Sequence, residues 1–214
     1  VGQLLDWIDA NGLKDNTVVI YTSDQGFFLG DHGMYDKRFM YEPSFRMPFL
    51  MRWPGHIRPG TVSESLAVNC DFAPTFLDLA GAQIPADMNG RSLQPLFSGR
   101  SPVGWRQEVY YRYYHDPGHH NTRAHYGVRT ATHKLIHYWK IDQWELFDLV
   151  GDPNEMKNLA SDPGSKAVMA DLKARIVKLQ AELGDTGQFT DKIPADTVDR
   201  RPKQLDHKHP DSQL

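Results

Sequence analysis

One cysteine among 214 residues leaves this chain without an internal disulfide and without any cysteine-built zinc or iron–sulfur site. It has no apolar run approaching the roughly 18 residues that cross a bilayer, so no membrane span is expected. A basic excess is missing too. Twenty-four Lys+Arg against 27 Asp+Glu give a net charge of −3, which argues against nucleic acid as a partner held by phosphate neutralisation. There is no internal repeat. What is present is 40% hydrophobic and 24% charged residues, a globular balance rather than a disordered or fibrous one. The length suits one or two domains.

The chain starts at Val1, not at methionine. VGQLLDWIDANGL predicts an amphipathic helix, with Leu4, Leu5 and Ile8 three to four residues apart and Asn11-Gly12 as its stop. TVVIYTSDQG follows, a β-branched and aromatic run that predicts a parallel strand buried on both faces. A helix leading into such a strand is half of a βαβ unit whose first strand is absent, so a piece of a longer domain is expected. The next stretch, FFLGDHGMYDKRFMYEPSFR, has no steady period, and aperiodic loops of that length are often functional. MPFLMRWPG predicts another strand of the same sheet. CDFAPTFLDLAG predicts a helix capped by Asp71, with Pro74 in its first turn and Gly81 as its stop.

Composition shifts at the turn-rich segment 98–106. Beyond it EVYYRYY, HYGVRTATHKLIHYW and WELFDL predict three short-linked antiparallel strands. Two Asp-Pro turns precede a helical period at Val168, Leu172, Ile176, Leu179 and Leu183, stopped by Gly184. Residues 185–214 hold only six apolar residues, too few to order a tail by burial. The expected organisation is an α/β part over residues 1–100, an antiparallel subdomain with one packed helix over 101–184, and a polar tail over 185–214.

Ligand sites in open sheets lie at the carboxyl ends of strands. Asp24 and Gln25 stand there, offering a carboxylate and an amide oxygen that suit calcium or magnesium better than zinc. An Asp that caps the next turn is the plainer alternative. Lys37 ends a glycine-punctuated loop that can fold back over the strand, where an ammonium could hold an anion; a solvated loop lysine is the alternative. His32 reads as a loop anchor. Cys70 reads as a small buried apolar residue.

The string TVVIYTSDQGFFLGDHGMYDKRFMYEPSFRMPFLMRWPG, with VNCDFAPTFLDLAG and NGRSLQPLFSG, resembles the C-terminal part of the sulfatase family, within the alkaline-phosphatase-like superfamily. The likeness covers roughly residues 1–183. It implies the C-terminal portion of a mixed or parallel sheet with helices, followed by a small antiparallel sheet and helix. It implies that Asp24 and Gln25 bind a divalent cation, usually calcium and less often magnesium. It implies that Lys37 holds sulfate oxygens. The family's nucleophile is a formylglycine made within Cys/Ser-x-Pro-x-Arg. Cys70 is followed by Asp71-Phe72-Ala73-Pro74, no serine fits either, and so no nucleophile lies in this chain. The formylglycine and the other ligands are expected from a missing N-terminal half of the same domain, and the chain alone is expected to be inactive.

Six of the ten histidines fall between 115 and 137, in a stretch similar to that of enzymes acting on N-acetylglucosamine 6-sulfate and on mucin or glycosaminoglycan sugars. His119, His120, His125 and Arg129 are therefore candidate contacts to a sulfated carbohydrate substrate, supplied by loops beside the charged site. Arg129, His133 and His137 could instead face solvent or the first part of the chain along one strand. Acidic residues of ELFDLVGDPNEMKNL read as turn caps. Three rival readings stand: a phosphohydrolase or phosphodiesterase of the same superfamily, whose members usually carry His where Gln25 stands; a carbohydrate-binding module using Trp105, Tyr126, Trp139 or Trp144; and a functionless truncated product. A sulfated-glycan substrate implies a periplasmic or extracellular location.

Overall fold

The computed structural model describes residues 1–189, the side chain of His119 excepted; residues 190–214, most of the expected polar tail, lie outside the described residues. Helix α1 (Gly2–Ala10) ends where Gly12 takes φ 69°, and it buries Ile8 while Leu4 and Trp7 stay exposed. Strand β1 (Val19–Thr22) follows. A two-residue hairpin, β2 (Phe28–Leu29) with β3 (Tyr35–Asp36), occupies the aperiodic loop, turning through Gly30 and Gly33 at positive φ. One helical turn, α2 (Glu42–Phe45), leads into β4 (Phe49–Arg52), which pairs with β1.

The β1–β4 partnership matches expectation, but its direction does not. Val19 faces Arg52 and Thr22 faces Phe49 in an antiparallel register, and no parallel pair forms among the described residues. Nor is β1 buried on both faces: Tyr21 is 50% exposed, as is its partner Leu50 at 64%. The consecutive apolar residues encode the strand, while Tyr21 and Leu50 leave one face of the pair open among the described residues.

Helix α3 (Phe72–Leu79) forms as anticipated and stops at Gly81, φ 67°. Asp71 is not a simple cap. Its carboxylate is fully buried, pairs with both terminal nitrogens of Arg106 and accepts from the amides of Val68 and Arg91. The supposed linker therefore packs inward: Trp105 is buried and its indole donates to Leu66 O.

Three expected strands prove to be four, β5 (Glu108–Tyr113), β6 (His125–Thr130), β7 (His133–Tyr138) and β8 (Gln143–Asp148), in sequential antiparallel order. The missed turn has neither glycine nor proline. Thr130 makes it instead, its Oγ1 accepting from the amides of Thr132 and His133. One face of this sheet, with Val128, Leu135 and Leu146, buries Leu172 and Ile176 of helix α4 (Lys166–Glu182). The other face, with Ile136 and Tyr138, buries Met40 under Phe39, Tyr41 and Phe45. Packing thus crosses residue 100. It also extends past 184, because Asp185 pairs with Arg112 and accepts from Tyr110 Oη at 2.6 Å.

Asp148 and Asp152 cap turns as read, and Asp162 caps the second Asp-Pro turn, but Glu145 instead accepts from Tyr41 Oη at 2.7 Å. Glu155 departs from that reading: it is buried against Lys134 Nζ at 2.6 Å.

Candidate active site

Strand β1 ends at Thr22, and the backbone then leaves the sheet at Ser23-Asp24-Gln25-Gly26. The β2–β3 hairpin returns the chain to the same end, since Phe28 faces Asp36 in the register. This brings Lys37 Nζ within 3.8 Å of Asp24 Oδ2, across thirteen residues of sequence. Asp24 is 78% exposed, and Ser23 Oγ donates to its Oδ1 at 3.2 Å. That hydrogen bond and the Lys37 charge hold the Asp24 carboxyl below its ordinary pKa. The pair is open and poorly saturated, the condition of groups left available to a ligand.

An open depression of about 630 Å³ lies beside it, lined by Thr22, Ser23, Asp24, Asn69, Cys70 and Phe72. Asn69 Nδ2 donates to Asp24 O at 3.2 Å, joining the segment before α3 to the end of β1. Cys70, expected in the core, is exposed on this wall; partial desolvation, then the charge of Asp71, raises its thiol pKa.

In kind, Asp24 and Gln25 fit a hard cation such as calcium. In number they do not complete a cage, which takes 6–8 oxygens. Among the described residues no group of three or more His, Cys, Asp or Glu could hold a metal ion.

The structure sorts the four candidate sugar contacts differently. His120 reaches the site's edge, with Nε2 3.3 Å from Asp36 Oδ2, one residue from Lys37, and a side chain 65% exposed. The side chain of His119 lies outside the described residues. His125 corrects the expectation: it is fully buried among Phe39, Tyr111, Tyr113 and Tyr138. Its Nδ1 lies 2.8 Å from Arg123 O, and burial pulls its pKa down to about 4. A ring enclosed in this way has no face to offer a sugar. Arg129 points at the first part of the chain, 3.4 Å from Glu42 Oε1, rather than at an open loop. His133 and His137 sit on β7, a different strand from Arg129. His32 anchors its loop by stacking on Tyr41, ring centres 4.5 Å apart. The aromatic residues named for a binding module are already engaged: Trp105 is buried, Tyr126 stacks on Trp139, and Trp144 stacks on His137.

With this geometry in place, the match to a family description becomes decisive: N-sulphoglucosamine sulphohydrolase, C-terminal, over residues 30–182. The chain belongs to this sulfatase family. It is 49% identical over 162 residues to the N-acetylglucosamine-6-O-sulfatase of Bacteroides thetaiotaomicron, covering 74% of this chain and 29% of the relative. It is also similar to a solved protein in complex with its substrate D-glucosamine-2-N,6-O-disulfate, at TM-score 0.85 and 43% identity, covering 89% of this chain and 39% of the other. A solved phosphonate monoester hydrolase from Silicibacter pomeroyi matches at TM-score 0.74 and 29% identity, with 85% and 38% covered. The chain spans about a third of the length of these relatives.

Two residues of this sulfatase-family chain escaped sequence reasoning. Asn69 sits inside VNCDFAPT, where Cys70, Asp71 and Pro74 carried the reading and the asparagine did not. Ser44 sits in the aperiodic stretch before β4, where nothing in the spacing showed what its hydroxyl meets.

Proposed function

We propose that these residues form part of a sulfuric ester hydrolase that removes the 6-sulfate from glucosamine or N-acetylglucosamine units of a glycan. The nucleophile and further metal ligands would lie outside the 214 residues. The observation that carries the reading is the Asp24–Lys37 pair at the end of β1, 3.8 Å apart and open to solvent. Similarity to a relative named as a 6-O-sulfatase supports the choice of ester. A formylglycine and a divalent cation, when bound, supply the attack on sulfur and neutralise developing charge. Asp24 and Gln25 would hold that cation, calcium before magnesium.

The work of this chain's own residues is electrostatic. The Lys37 ammonium sits beside the place where sulfate oxygens gain charge, and a preplaced cation there favours the transition state over the ground state. His120, which reaches the edge of the site from the β5–β6 connection, is the candidate for a sugar hydroxyl.

The test is sulfate release from N-acetylglucosamine 6-sulfate by the full-length protein, with and without a chelator. Chelator-sensitive release supports the reading. A protein that cleaves only phosphonate or phosphate esters sinks it and favours the rival that the phosphonate hydrolase similarity raises. Gln25 weighs against that rival, because the resemblance implies an imidazole at this position in phosphohydrolases and phosphodiesterases.

A further inference from the structure

The two halves of the site, Asp24 on one loop and Lys37 on another, have no covalent reason to keep their spacing. Both loops, however, fasten to Ser44 in α2. Gly26 N, two residues past Asp24, donates to Ser44 O at 2.9 Å. Arg38 N, the next amide after Lys37, donates to Ser44 Oγ at 3.0 Å. A Cβ on Gly26 would lie 2.1 Å from Pro43 O and 2.5 Å from Arg46 O, so the glycine is pressed onto the backbone of the same turn. Ser44 is 2% exposed and spends its hydroxyl there.

Lys37 needs such a hold. Its neighbours Asp36 and Arg38 are non-glycine residues at φ 92° and 114°, a backbone that persists only when the surroundings over-determine it. The Arg38 carbonyl is fixed as well, accepting from Tyr111 Oη at 2.7 Å. The α2 turn is itself immobilised: Glu42 Oε1 lies 2.9 Å from the buried Lys134 Nζ, and Glu42 N donates to Glu155 Oε2 at 2.6 Å.

We infer that Ser44 is a positioning residue: one side chain and its own carbonyl set the distance between the cation-holding loop and the sulfate-holding lysine. The inference rests on the sulfatase reading for its kinetic consequence, though not for its geometry. A displacement of order 1 Å at a reacting centre can cost about a hundredfold, so loss of one of two anchors should be felt mainly in kcat.

The experiment uses the full-length protein and N-acetylglucosamine 6-sulfate, comparing Ser44→Ala, Lys37→Ala and the double variant. Ser44→Ala should lower kcat about tenfold or more with KM within about twofold. Ser44→Thr, which keeps the hydroxyl, should recover most of the loss. Because Ser44 acts through Lys37, the double variant should be no slower than Lys37→Ala alone. Multiplying losses, or an unchanged kcat in Ser44→Ala, would overturn the inference.

Hydrogen exchange on the wild-type protein requires neither turnover nor a folded variant. The Gly26 and Arg38 amides should exchange far more slowly than those of the adjoining exposed loop. Fast exchange at both removes the clamp even if sulfatase activity is found. Slow exchange in a protein with no sulfatase activity keeps the clamp and rejects only the function.

Discussion

Asp24 with Lys37 at the end of β1, and Glu42 with Lys134 between α2 and the four-stranded sheet, are both carboxylate–ammonium pairs, 3.8 and 2.9 Å apart. The first is 78% and 33% exposed; in the second Lys134 is fully buried and Glu42 is 16% exposed. Lys134 is further held by Glu155 at 2.6 Å, and Glu42 by Arg129 at 3.4 Å. Burial alone would raise the Glu42 pKa, but Lys134 and then Arg129 outweigh it, so the carboxyl stays below its ordinary value; Glu155, where burial dominates, is raised. The same residue types thus do opposite work. Charges gathered out of water in the seam hold the two parts of the fold together, whereas the rim pair stays open to solvent.

The sharpest way to break this contrast is Lys134→Met, which strands two carboxylates in the interior. Removing one partner of a buried pair costs about 3–5 kcal/mol, and urea unfolding of the full-length protein should show it. A loss under about 1 kcal/mol would mean that the seam behaves like a surface pair. Lys37→Ala should do the reverse. Turnover should drop about 10²–10³-fold, the cost of losing one preorganised transition-state contact, while stability stays within about 0.5 kcal/mol, as for a surface change. Steady-state rates and a melting curve on the same preparation check both.

His125 sharpens the comparison through pH. Its folded pKa is about 4 against an ordinary 6.5, with burial the main cause. Between those values the unfolded chain binds the extra proton, so stability is fully present above pH 6.5 and declines as pH falls toward 4. The span amounts to at most about 3 kcal/mol. His125→Phe should flatten that decline, measured as unfolding midpoint against pH; an unaltered slope would place the titrating group elsewhere. The smallest effect belongs to His120→Ala. An exposed pair with Asp36 is worth about 0.2–1 kcal/mol at most, so stability should barely change, while KM for the sulfated sugar should rise if the imidazole meets the substrate.

Much of this was legible in the sequence because it rests on local physics. The helices stop where Gly12, Gly81 and Gly184 take positive φ, and the period from Val168 to Leu179 lies against the sheet. That Asp24 and Lys37 could meet was legible because the strand end and the glycine-bearing return loop are local signals, while their expected roles came from the family resemblance. What escaped is what distant chain decides. The β6–β7 turn relies on a threonine hydroxyl, a weaker signal than glycine or proline. His125 and Arg129 read as open because histidine and arginine usually are, yet Phe39 and Glu42 cover them from 86 and 87 positions away. Gly127 marks the same seam: a Cβ there would lie 2.8 Å from Met40 Sδ. Cys70 erred in the other direction, since its exposure depends on the wall of the depression and not on residue type.

The most direct test is sulfate release from N-acetylglucosamine 6-sulfate by the full-length protein beside its Lys37→Ala variant. Turnover is expected in the first and a loss of about two to three orders of magnitude in the second. Equal rates in the two, or release of phosphonate but no sulfate, would contradict it.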